Sequence, residues 1–118
     1  MKMCRLIAIA IATLVMQLPA SAEVLGRWCD TPVPGFAAAD SVISLSVDAS
    51  GNYALFFVYG DGSSRTEKVR KDGSRYLTGN DFGEFYTTHA NGRLSLSDSD
   101  GLIRTAMPTA ATRPKQCR

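Results

Sequence analysis

Histidine, tryptophan and cysteine are scarce in this chain: its 118 residues include one histidine, one tryptophan and three cysteines. His89 alone cannot build a zinc cluster, and its setting, Thr88-His89-Ala90-Asn91-Gly92, reads as a solvated hairpin tip rather than a general base. The cysteines show no C-x-x-C spacing, so neither a thiol redox pair nor a metal centre is expected. An excess of one charge is missing too. The formal net charge is +2, but Lys2 and Arg5 belong to an N-terminal leader, and from residue 23 onward eleven Lys/Arg meet eleven Asp/Glu. A neutral chain lacks the electrostatic footprint of a nucleic-acid binder. Beyond the leader no stretch carries the 3.6-residue apolar period of an amphipathic helix.

The one long apolar run, residues 6–18, is interrupted only by Thr13 and Gln17. It follows two cations and precedes Pro19 and the small residues Ala20-Ser21-Ala22, the order of a secretory signal cleaved after Ala22. At its helical rise the run reaches only about 20 Å, short of a hydrocarbon core of about 30 Å. Cys4 stands before the run and cannot be a lipid-bearing cysteine at the cleavage point. The expected organisation is a signal peptide over 1–22 and a single soluble domain over 23–118, periplasmic or secreted, not inserted in a membrane.

Removing the leader leaves Cys29 and Cys117, for which one pairing exists. An oxidising compartment permits that disulfide. It would restrict the unfolded chain by about 4–5 kcal/mol on the chain-entropy account.

Glycine-bearing turn sequences punctuate the chain between these two cysteines. Gly51, Gly62, Gly73, Gly83, Gly92 and Gly101 lie 11, 11, 10, 9 and 9 residues apart, most after Asp, Asn or Ser. Such spacing marks an all-β meander, sandwich or barrel. Eight strands are predicted, over 24–29, 41–48, 53–59, 65–70, 75–78, 84–88, 93–98 and 102–106. Ile43, Leu45 and Val47 alternate with Ser44, Ser46 and Asp48, and Leu94 and Leu96 with Ser95 and Ser97. The expected fold is one small up-and-down antiparallel barrel or strongly curved meander. With short strands, side chains fill such a barrel and leave little room for a ligand.

The remaining signals point to structure rather than chemistry. Asp48, Asp61, Asp72, Asp81, Asp98 and Asp100 fall in turns, where carboxylates cap backbone amides. Asp98-x-Asp100-Gly101 matches part of a calcium loop but has no glutamate at the required distance. Arg65, Lys68, Arg70, Lys71 and Arg75, offset by Glu67 and Asp72, read as a solvated strand that protects a sheet edge. No catalytic residue, metal or cofactor is assigned.

Gly26-Arg27-Trp28 at the start of the first strand resembles the opening of calycin barrels, which include lipocalins and the small bacterial metalloprotease inhibitors. In those families the tryptophan closes one barrel end, so the resemblance implies a plug made by Gly26 and Trp28. Ser50-Gly51-Asn52-Tyr53 is similar to part of the Ser/Gly-rich loop of periplasmic C-type lysozyme inhibitors, with Asn52 where that loop has lysine.

Together these readings lead to an exported, monomeric, non-enzymatic binding module with a protein partner in the cell envelope. Its sharpest form is an inhibitor of an envelope or extracellular hydrolase, a lysozyme or a protease. The alternative is a structural or assembly component of the envelope. The expected partner-binding residues are Phe36, in the proline-containing connection 31–40, with Phe56 and Val58. These last two occupy the second face of a strand whose first face gives Tyr53, Leu55, Phe57 and Tyr59 to the core. The 31–40 connection itself is expected to fold over one barrel end.

Overall fold

A computed structural model describes residues 22–31 and 39–117. Eight strands run in chain order: β1 (Glu23–Asp30), β2 (Ser41–Val47), β3 (Tyr53–Tyr59), β4 (Ser64–Asp72), β5 (Arg75–Leu77), β6 (Phe85–Thr88), β7 (Leu94–Asp98) and β8 (Gly101–Pro108). Each pairs antiparallel with the next, and β8 returns to β1, closing an up-and-down barrel. A 3-10 turn at Pro114–Gln116 interrupts the C-terminal tail. The expected all-β class and eight strands are observed, and of the two expected forms, barrel or curved meander, the fold is the closed barrel.

Local chemistry accounts for the turns. Gly51 and Gly92 adopt φ of 84° and 91°, a region L side chains rarely enter. The Asp48 carboxylate accepts the backbone N–H of Ser50 and of Asn52, both at 2.9 Å. Asp61 accepts the N–H and the hydroxyl of Ser63 in the same manner.

Alternation along the strands decides the core. Ile43, Leu45, Leu55, Phe57, Val69, Tyr76, Tyr86, Leu94, Leu96 and Ala106 join Trp28 in one buried cluster. Tyr53 and Tyr59 pack at its margin, so the four-residue face expected of β3 does point inward.

Two strands turn corners. β4 pairs with β3 from Ser64 to Val69, and with β5 only from Arg70 to Asp72. β8 pairs with β7 from Gly101 to Ala106, and with β1 only at Met107 and Pro108. The barrel is therefore two sheets that share β4 and β8. The edge-strand reading of the basic segment fits most of β4: Ser64–Val69 pair with β3 and leave the β5 side open, while Arg70–Asp72 pair with β5 instead.

Candidate binding surface

Two barrel ends differ in chemistry. At the end carrying the β2–β3, β4–β5 and β6–β7 turns, the Trp28 indole lies over Gly26, where an added Cβ would stand 2.6 Å from Cη2. Its Nε1 donates to the Gly92 carbonyl at 2.7 Å, and the residue is 5% exposed. Gly26 thus supplies the space and the β6–β7 turn supplies the acceptor that a buried indole N–H requires.

The opposite end is polar inside. Asp30, 3% exposed, receives two hydrogen bonds from Arg104 Nε, at 2.9 and 3.1 Å, and one from Nη2 at 2.8 Å. That carboxylate holds the Arg104 guanidinium more firmly protonated than usual, against the opposing effect of burial. On β4, Arg65 bonds Glu67 at 3.0 Å and stacks 4.2 Å from the centre of the Phe57 ring. The Tyr59 hydroxyl accepts from Arg65 Nε, and this bond leads the rise in the arginine's basicity. These inward charges line the corners where β8 lacks β1 and β4 lacks β5. Inward-pointing charge is a known way to keep a free strand edge from pairing with another chain.

Among the described residues, an open pocket of about 480 Å³ lies at the Trp28 end, bordered by Leu45, Tyr76, His89 and Pro108, and little space remains deeper in the barrel. A void of about 10 Å³ lies among Asp30, Ile43, Tyr86, Leu96 and Arg104, room for at most one water. Among the described residues, no group of three or more His, Cys, Asp or Glu gathers to hold a metal ion.

The residues singled out from the sequence do not converge on one site. Cys29 and Cys117 form a disulfide with Cα atoms 6.0 Å apart, tying the tail to the outside of β1. Phe36, and with it most of the 31–40 connection, lies outside the described residues. Phe56 points outward from β3 and is 40% exposed, whereas Val58 is half-buried. In register they stand beside Thr66 and Ser64 of β4. Val42, opposite Val58 on β2, is also opposite Cys29 on β1 and is 1% exposed, so the apolar outer face ends under cover near the disulfide. His89 is exposed on its turn, and its Nε2 lies 2.6 Å from the Ser95 hydroxyl.

Sequence reasoning did not single out a groove of about 680 Å³ between the β2–β3 turn and the outward face of β4. Asp48, Asn52 and Ala54 border one side and Thr66, Lys68 and Arg70 the other. Strand alternation already groups Thr66, Lys68 and Arg70 on one face in the sequence, but only the fold shows that this face points outward. Charge is also sorted between the two ends. Asp40, Asp61, Asp81, Glu84, Asp98 and Asp100 all occupy or border the β1–β2, β3–β4, β5–β6 and β7–β8 connections at the polar end. Lys68, Arg70, Lys71 and Arg75 cluster toward the other, where Glu23, Asp48 and Asp72 also lie.

No family model, curated protein or solved structure matches this chain.

Proposed function

We propose that this chain is an exported, non-enzymatic binding module that meets a protein partner with its outer surface, in its sharpest form as an inhibitor of an envelope or extracellular hydrolase. The observation that carries this reading is the filled barrel. An interior void of about 10 Å³ admits no small-molecule ligand, which leaves the exterior as the place for recognition. Phe56 adds an exposed aromatic on a rigid strand, the residue type that anchors protein interfaces. The disulfide fits an oxidising compartment and so an exported protein. The Ser50–Tyr53 hairpin, fixed by the Asp48 cap, is a preorganised loop of the kind that inhibitors present.

The test is a titration of the mature protein, residues 23–118, against a C-type lysozyme and a panel of secreted proteases. Stoichiometric loss of one activity is expected. Phe56→Ala should then weaken inhibition by about tenfold or more, roughly 1.4 kcal/mol per decade, with the melting temperature nearly unchanged. Full activity of every hydrolase at saturating protein would remove the inhibitor reading.

A further inference from the structure

The groove beside β4 has the size of a ligand site and a lining in which cations outnumber carboxylates. Its volume of about 680 Å³ falls in the range of sites for drug-sized ligands. Lys68 and Arg70 both project outward from β4 into it, with Thr66 one step further along the same face. Among the described residues the ion pairs are Arg65–Glu67 and Arg104–Asp30, so neither Lys68 nor Arg70 has an acidic partner. Lys71, also at the groove, donates to the Gly73 carbonyl and sits 5.7 Å from the Tyr76 ring centre.

Asp48 on the facing wall keeps its negative charge, but Lys68, Arg70 and Lys71 outnumber it in the lining. Its two oxygens are occupied by the turn, accepting from Ser50 N, Asn52 N and Asn52 Nδ2. Asp72, two residues beyond Arg70 on the same β4 face, also stands at this end, while Asp40, Asp61, Asp81, Glu84, Asp98 and Asp100 gather at the far one. An excess of cations over carboxylates in a groove attracts and orients anions.

Spacing narrows the class of anion. Residues two apart on a strand lie about 6.7 Å apart, which sets the distance between the roots of Lys68 and Arg70. An extended peptide with carboxylates at alternate positions repeats at that same interval. A densely charged phosphate polymer would also press charge against the fixed Asp48 carboxylate, whereas alternate carboxylates can all face the β4 wall. We propose that this groove binds an extended acidic segment of a protein partner, its alternate carboxylates paired with Lys68 and Arg70 and its backbone bonded to Thr66 and Asn52. This rests on the protein-partner reading above and names the chemistry of that partner's contact strand.

The experiment is an amide-resolved NMR titration of the mature protein with a short synthetic peptide alternating Glu and Ser. Its control is a peptide of identical composition with the glutamates contiguous. Saturable shifts are expected at Ala54 and across residues 66–71, with the control several-fold weaker. Lys68→Glu combined with Arg70→Glu should lower affinity by about tenfold or more while leaving the remaining spectrum in place. Equal binding of both peptides, shifts spread over Arg27, Arg93 and Lys115, or no shifts at all would overturn the proposal. Tighter binding of tripolyphosphate to the same amides would also overturn it, in favour of a phosphate site. The probe is a peptide and not a hydrolase, so failure here is separable from failure of the inhibitor titration.

Discussion

Trp28 and Gly26 work as one unit. The indole occupies the space where a side chain at 26 would be, and its N–H is satisfied by a turn 64 residues away in sequence. Replacing Gly26 by alanine forces the ring to move, because a Cβ at 2.6 Å lies well inside van der Waals contact. Overpacking of this kind costs about 1–3 kcal/mol, and truncating Trp28 to alanine about 3–5 kcal/mol. Native emission from this single tryptophan should be blue-shifted, moving to the red on unfolding. Gly26→Ala should lower the denaturant midpoint and shift the native spectrum part of the way, whereas a native spectrum already at the solvent position would mean that the indole is not enclosed.

Within the strands, alternation sorts side chains so completely that the ionisable groups on inner faces stand out. Tyr86, on the inner face of β6, has its phenol pushed up to about 12, first by burial and then by the nearby Glu67 carboxylate. Burial shifts Tyr76 of β5 in the same direction. The unfolded phenol ionises near pH 10, so the unfolded state loses its proton first. The stability these groups give is intact below about pH 10 and drains away as pH rises toward 12, by roughly 2–3 kcal/mol for Tyr86. Urea midpoints measured from neutral pH through that window should fall, and Tyr86→Phe should flatten the decline. The faces of β2, β3 and β7 were legible in the sequence because a two-residue period is a local property. The inward aim of Arg65, Glu67 and Arg104 was not, because charged residues on an inner face look the same in sequence as residues on a solvated strand.

At the scale of the whole molecule, one crosslink ties the first strand to the C-terminal tail. Cys29–Cys117 spans 88 residues and anchors a tail in which Ala111 and Pro114 are buried. On the chain-entropy account the bond is worth about 4–5 kcal/mol. Freshly isolated mature protein should show no titratable thiol under denaturing conditions, and reduction should lower the melting temperature by at least several degrees. Two free thiols would contradict the crosslink. At this scale the sorting of charge is the property of most consequence. Six carboxylates occupy or border the connections at one end, and a cationic strand face lies toward the other beside Asp48 and Asp72, because consecutive antiparallel strands send alternate connections to opposite ends.

Turn chemistry and strand period are written in neighbouring residues, which is why the strand count, the turns and the inner faces of β2, β3 and β7 could be read from the sequence alone. The disulfide was legible too, since reading residues 1–22 as a leader leaves two cysteines and a single pairing. The corner strands could not be read, because they depend on how far β5 is staggered against β3 and how far β1 against β7, a property of barrel closure. Asp30 and Arg104 meet across 74 residues, and Lys68 and Arg70 face Asn52 across a groove only because the β2–β3 turn reaches over β4. Local sequence sets which way a side chain points from its strand; the stagger of the strands sets what it meets there.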